Sequence, residues 1–515
     1  MEAFLQPLQG LAEFEEIKKR CSVNRGILNI SGCMESQKVH LMYGLSGLFP
    51  CHLILADDER SAKEIYEDYR FYDKNVYFYP AKDLLFFQAD IHGNLLIRQR
   101  MRVIRALLEQ EEVTVVTSID GCMDFLMPLE KIRSSLLHFK SDSVIDLEKL
   151  KADLVELGYE RVGQVELPGQ FSIRGGIIDI YPLTEENPWR IELWDDEIDS
   201  IRSFDAESQR SLENVDEITI YPAVEKNDGK DMVSFLDYFP EEKTLLFLDE
   251  PNHLAENGEG VEEEYRQSRM HREEKGEANL PEQWLCGFQE VQKKLNKRNC
   301  VAVSSLSPRR SGWKFTDEFD LTVKSVDSYN SSFELLVKDL LQYKSQGYRI
   351  ALLSGSRTRA ERLAKDLSEE GLNAFYSQDY SRIINPGEIM VVYGHARRGF
   401  QYPLIKFAVM TETDIFGKEQ KKRKKKKKYS GNRIQDFAEL SIGDLVVHEK
   451  HGLGIYRGIE KVEVDRVVKD YIKIEYRGGS NLYILATQLD ALQKYSGSSD
   501  NAKTPKLNKL GGQEW

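Results

Sequence analysis

The sequence predicts a multidomain α/β chain. An α/β domain is interrupted by an α+β insertion, a small α/β domain follows, and a small SH3-like or Tudor-like β-barrel comes last. Three observations predict this. Strand and helix signals alternate through residues 8–118 and again through 326–413, the pattern of a parallel sheet covered by helices. Residues 157–222 run instead as short strands separated by Gly, Pro and Asp turns. After Phe437, about five short strands fall within some fifty residues, the strand density of a small barrel.

The elements follow in order. Phe14 to Cys21 is helical and Gly26 to Ile30 is a short apolar strand. Helices at Val39 to Leu48, Arg60 to Phe71 and Leu96 to Leu108 alternate with strands at His52 to Ala56, Val76 to Tyr79 and Val113 to Thr117. A helix from Leu147 to Leu157 ends at Gly158. Phe171 and Ile173 alternate with polar residues, as in a half-buried strand. Ile177, Ile178, Ile180 and Tyr181 form a more buried strand that Pro182 closes. Arg190 to Trp194 and Ile198 to Phe204 read as a hairpin around Asp195-Asp196-Glu197, and Ile218 to Tyr221 leads out.

Cys300 to Ser304 is a strand of the resumed α/β domain, and the charged stretch Gly258 to Ala278 is a solvated helix. The small domain has helices at Phe333 to Gln346 and Arg357 to Glu370, with strands at Arg349 to Leu353, Ile389 to Val392 and Phe407 to Thr411. The boundaries are 1–119 and 223–322 for the two halves of the first domain and 120–222 for the insertion. The small domain takes 326–413, a basic linker 414–436, and the terminal module 437–515.

Composition narrows the function. At 515 residues and 41% hydrophobic content, the chain can bury several cores. A net charge of −14 argues against nucleic-acid binding by the chain as a whole, while leaving room for local basic patches. The six cysteines are scattered and form no Cys-x-x-Cys, which points to a reducing, cytoplasmic setting and away from structural zinc or disulfides. The N-terminus lacks the basic and apolar regions of a signal peptide, and no apolar run is long enough for a membrane span.

Several motifs can carry chemistry. The loop after the first strand reads Gly32-Cys33-Met34-Glu35-Ser36-Gln37-Lys38-Val39. A phosphate-binding loop needs Gly-x-x-x-x-Gly-Lys-[Ser/Thr]. Gly32 and Lys38 are in register, but Gln37 replaces the second glycine and Val39 the magnesium-binding hydroxyl. Coincidence and a decayed loop both fit, and neither predicts ATP hydrolysis. Leu245-Leu246-Phe247-Leu248-Asp249-Glu250 has the shape of a Walker B strand and equally that of an ordinary buried strand. Arg174 stands beside Gly175-Gly176, where a partner could reach the backbone; a glycine bulge with a solvated arginine is the plain alternative. Lys421 to Lys428 is a run of basic residues, either a solubilising tether or a salt-sensitive phosphate contact. His448 and His451 flank a loop without a third ligand, so no metal site is expected.

Two longer signatures support a resemblance. Gly169-x-Phe171-Ser172-Ile173-Arg174-Gly175-Gly176-Ile177-Ile178-Asp179-Ile180-Tyr181-Pro182, continued by Ile191 to Asp205, resembles a module shared by the bacterial excinuclease component UvrB and the transcription-repair coupling factors. Gly443-Asp444-Leu445-Val446-Val447-His448-x-x-His451-Gly452-Leu453-Gly454-x-Tyr456-x-Gly458-Ile459 resembles the CarD-like polymerase-interacting domain of the latter family. Lys509-Leu510-Gly511-Gly512-x-Glu514-Trp515 extends the match to the last residue.

The resemblance implies a degenerate excinuclease-B/helicase-like α/β domain without catalytic residues, cofactor or metal. It implies that the insertion recruits the excinuclease component UvrA through Tyr159, Arg161, Phe171, Arg174 and Tyr181. Glu160 stands where some members of the family carry a basic residue. It implies that the terminal barrel docks on RNA polymerase, at its β subunit, through strand addition. Tyr456, Ile459, Val462 and Val464 would be the contacts, with Ile459 to Val464 as the edge. The family's ATP- and Mg-dependent motor, which works on duplex DNA, is expected to lie beyond this chain, and the chain to be a bacterial, cytoplasmic monomer. A CarD-like regulator without a repair role and an excinuclease-B-like ATPase are the alternatives.

Overall fold

The computed structural model describes residues 1–23, 25–82, 94–225, 231–274, 285–307, 312–417, 431–433, 440–448, 452–464, 467–477, 481–485 and 492–495. The basic run Lys421 to Lys428, His451, the residues Lys509 to Trp515 and the side chains of Val462 and Val464 lie outside what is described. The chain divides into two compact units. One comprises Met1–Lys82, Ala106–Pro128 and Asn227–Lys422; the other comprises Asp83–Arg105, Leu129–Lys226 and Arg423–Trp515.

The first unit holds two sheets. The larger has seven parallel strands in the order Phe315–Asp320, Gly26–Ser31, Asn299–Val303, Thr244–Asp249, Cys51–Ala56, Val113–Ser118 and Val76–Tyr79. Gly26–Ser31, Val113–Ser118 and Thr244–Asp249 are buried along their whole length, as expected where helices cover both faces of a parallel sheet. The helix Glu59–Tyr72 shows the local logic. Asp58 caps it by accepting from the Ser61 N–H at 2.6 Å, and Ala62, Ile65, Tyr69 and Tyr72 bury one face.

The edge strand Phe315–Asp320 did not stand out in the sequence because its exposed side is polar and acidic, which suits an edge paired on one side only. The smaller sheet has the order Lys324–Ser325, Phe400–Tyr402, Phe407–Thr411, Arg349–Ser354, Glu388–Tyr393 and Asn373–Tyr376. One continuous core joins the two sheets, with Leu28, Ile54 and Val301 in the same cluster as Leu353, Val392 and Phe407.

In the second unit the inserted domain forms a six-stranded sheet. Its order is Ser211–Val215, Glu197–Phe204, Trp189–Trp194, Ile177–Ile180, Gln170–Arg174 and Glu160–Arg161. All its neighbours are antiparallel except the last pair. The helix Asn94–Glu109 lends this domain its arginines. Arg98 donates to the Glu185 carbonyl at 3.1 Å, Arg105 to the Glu185 carboxylate at 2.6 Å, and fully buried Arg100 pairs with Glu225.

The terminal module is a six-stranded antiparallel sheet in the order Gly431–Arg433, Leu492–Tyr495, Leu445–His448, Gly452–Val464, Val467–Glu475 and Asn481–Leu485. The described pairings run in this open order and do not close a barrel.

Candidate functional site

Two glycine-and-cation sites, Gly32 to Val39 and Arg174 to Gly176, are candidates, and their geometries differ. Gly32 has φ +77°, and a Cβ there would lie 2.2 Å from the Leu321 carbonyl oxygen, so only glycine fits. The helix Glu35–Ser46 starts directly after the loop. Lys38 is buried, and its Nζ donates to Asp249 Oδ1 at 2.6 Å and Glu250 Oε1 at 2.7 Å. Burial works against the ammonium, but the two carboxylates outweigh it and raise the Lys38 pKa. Burial alone would raise Glu250; Lys38 and the Ser305 hydrogen bonds reverse this and hold it below the usual carboxylate range. Asp249 is more deeply enclosed, and there burial prevails and raises its pKa.

Gln37, the residue that breaks the motif, is a strut. Its Oε1 accepts from the Met34 N–H at 3.0 Å, and its Nε2 donates to the Tyr402 hydroxyl at 3.0 Å. Tyr402 in turn lies 3.1 Å from His40 Nδ1, while His40 Nε2 meets the Phe4 carbonyl at 2.9 Å. The carbonyl can only accept, so Nε2 carries the proton and Nδ1 accepts from the tyrosine. Burial pushes the His40 pKa down to about 4, keeping the ring neutral. Ser36 donates to Asp68 at 2.7 Å and accepts from the Arg398 N–H at 3.1 Å. Val39, in the place of the metal-binding hydroxyl, is a core residue. The lysine and the polar side chains that open this helix are thus all engaged within the protein.

The inserted sheet presents the second site. Gly175-Gly176 is a two-residue hairpin turn between register partners Arg174 and Ile177, and not a bulge. Gly175 has φ +61°, as the first position of a type II′ turn requires, and a Cβ there would meet nothing within 4 Å. Arg174 remains 50% exposed while its Nη2 reaches Asp179 Oδ2 at 3.2 Å. Asp179 is buried and is held by Arg190 through a bidentate pair at 2.7 and 2.9 Å. Arg190 also stacks over Phe204, 4.4 Å from the ring centroid. Arg174 is therefore oriented from beneath and open above.

Three of the residues assigned to partner contact from the sequence are buried. Tyr159 and Phe171 are 3% and 0% exposed, and the Tyr159 hydroxyl is spent on the Tyr221 carbonyl at 2.7 Å. Both side chains are packed within the domain and present no surface in this structure. Tyr456 is likewise in the core of the terminal sheet. Arg161 is exposed and Tyr181 half-buried, its hydroxyl donating to the Glu186 carbonyl at 2.6 Å. Arg161 pairs in register with Phe171, so strand alternation sends it to the face opposite Arg174.

Trp194 falls outside the contact residues expected from the sequence, yet it is 80% exposed at the end of its strand. Its signal was visible: an aromatic residue placed directly before an acidic turn.

The strand Gly452–Val464 is an edge only in part. Leu445–His448 covers it at Gly452 to Ile455, whereas, among the described residues, Ile459 to Val464 pairs on one side only, with Val467 to Ile472.

Comparison with known proteins matches residues 137–225 to the UvrB interaction domain and residues 440–496 to the CarD-like/TRCF RID domain. The chain is 31% identical to the transcription-repair-coupling factor of Bacillus subtilis (strain 168), covering 94% of this chain and 47% of that protein. It is 29% identical to those of Staphylococcus aureus (strain MRSA252) and Staphylococcus epidermidis (strain ATCC 35984), covering 86% of this chain and 42% of each relative. The chain thus spans about half the length of the curated relatives it matches. With both domain types on one chain, and similarity that extends over nearly all of it, this chain is similar to the transcription-repair-coupling factors over about half of their length.

Proposed function

We propose that this chain is an adaptor for transcription-coupled DNA repair. The inserted domain recruits the excinuclease component UvrA, and the terminal module docks on the β subunit of RNA polymerase. The observation that carries this reading is the open hairpin Arg174 to Gly176, an oriented, half-exposed arginine beside accessible backbone, within the residues matched to an interaction domain. Polymerase docking proceeds by strand addition along the free side of Ile459 to Val464, and the terminal sheet closes into an SH3-like or Tudor-like barrel.

The Gly32 to Val39 loop neither binds nor hydrolyses ATP; in the complete protein an ATP- and Mg-dependent motor acting on duplex DNA supplies that activity. The adaptor works as a cytoplasmic monomer. Among the described residues, no helix is long and apolar enough to cross a membrane.

Pull-downs with each partner test the reading. Capture of both UvrA and RNA polymerase is expected; polymerase without UvrA would make the chain a CarD-like regulator. Val462→Arg should weaken polymerase binding about tenfold or more by placing a charge on the docking edge, and unchanged affinity would move the interface elsewhere. ATP turnover abolished by Lys38→Ala would overturn the adaptor-only reading in favour of an ATPase.

A further inference from the structure

Trp194 is the last residue of the strand Trp189–Trp194, and its register partner across the turn is Glu197. Trp194, Asp195, Asp196 and Glu197 are all exposed, so an indole stands beside three carboxylates. Val144, 70% exposed, is bridged to Glu197 on the other side, which extends the apolar surface. The turn is already fixed. Ile145 N–H donates to the Asp196 carbonyl at 2.8 Å, and Ile198 N–H to the Ser143 carbonyl at 2.9 Å. A partner binding here would have little ordering left to impose.

The same end of the sheet carries Arg174. Arg174 lies opposite Ile177, and Ile177 opposite Glu192, two residues before Trp194 on one strand face. Two strand spacings across and two residues along separate the Arg174 and Trp194 positions by roughly 12 Å. The end is therefore bipolar, cationic at Arg174 and acidic around an exposed indole at the Asp195 turn.

We infer that this end of the inserted sheet recognises a bipolar protein surface: Trp194 and its carboxylates receive an arginine or lysine side chain, and Arg174 receives a carboxylate. The inference rests on the docking reading above and specifies the chemistry of its partner. An indole face attracts a cation through its quadrupole, and flanking carboxylates strengthen that preference over a purely apolar contact. A hydrophobic pocket on the partner would gain nothing from the three acids and would have to desolvate them.

The test titrates purified UvrA into the full chain and its variants, measuring Kd at several salt concentrations. Trp194→Ala and Trp194→Leu should each weaken binding about tenfold, while Trp194→Phe retains most of it. The double variant Asp195→Asn with Asp196→Asn should weaken binding and flatten its salt dependence. Wild-type affinity in Trp194→Leu would show an apolar pocket and overturn the inference. Wild-type affinity in Trp194→Ala would remove the indole from the interface while leaving the docking reading standing. Failure of the unmodified chain to bind would overturn the docking reading itself.

Discussion

The loop at Gly32 and the hairpin at Gly175 are built from the same parts and put to opposite ends. Each places glycine at positive φ near a basic side chain. At Gly32 the space a side chain would fill holds the Leu321 carbonyl, and the nearby lysine is enclosed by Asp249 and Glu250. At Gly175 that space is empty, and the arginine is half in solvent. A cation whose charge is neutralised in the interior stabilises the fold, whereas one steadied from below and open above can bind. The comparison predicts that substitutions at the first site cost stability and those at the second cost affinity.

The largest effect should come from Lys38→Met. It leaves two carboxylates, one of them nearly fully enclosed, without their cation. Breaking a buried pair from one side costs about 3–5 kcal/mol, read as a lower urea midpoint for the first unit. Adding Asp249→Asn to Lys38→Met should recover part of the loss. Equal stability of Lys38→Met and the parent would mean that the lysine is as free as Arg174, and the contrast would collapse.

The next effect is a pH dependence centred on His40. Its folded pKa, about 4, lies below the ordinary value of 6.5, so between these pH values the unfolded chain binds more protons. Stability therefore rises with pH through that window and is lost as pH falls from 6.5 towards 4, by about 3 kcal/mol in all. The parent and His40→Asn should show different slopes of unfolding free energy against pH there; identical slopes would place the imidazole in solvent.

Restoring the phosphate-loop spelling is a smaller perturbation and a sharper one. Gln37→Gly with Val39→Thr recreates Gly-x-x-x-x-Gly-Lys-Thr but removes the strut between Met34 and Tyr402. The double variant should lose about 2 kcal/mol of stability and still show no binding of a fluorescent ATP analogue. Nucleotide binding would mean that the site had decayed only in its spelling.

The same pair of sites shows what the sequence made legible. Parallel strands such as Cys51–Ala56 and Thr244–Asp249 were readable because burial on both faces forces continuous apolar runs. The departures from a phosphate-binding loop at Gln37 and Val39 were readable because glycine and hydroxyl are irreplaceable in a working one. Gln37, by contrast, looked like damage, because its partner Tyr402 lies 365 residues away and local pattern carries no such information. The burial of Phe171 was hidden from the sequence for a related reason. A motif match records that an aromatic occupies a position, while strand register decides which face it takes. The edge strands Phe315–Asp320 and Ser211–Val215 escaped because polar, exposed edges lack an apolar signal.

The smallest effect on stability should be that of Arg174→Ala, and there the comparison is most exposed to failure. Arg174 contributes one 3.2 Å contact to Asp179, whereas Arg190 holds the same carboxylate twice at shorter range. Removing Arg174 leaves Asp179 paired, so the unfolding midpoint should move by less than about 0.5 kcal/mol. On the proposed docking, affinity for UvrA should nevertheless fall by about tenfold or more, since an oriented, half-exposed guanidinium is lost. Arg161→Ala, on the opposite face, should weaken binding far less. A stability loss for Arg174→Ala comparable to that of Lys38→Met, with affinity preserved, would make Arg174 a structural residue and move the docking face elsewhere on the domain.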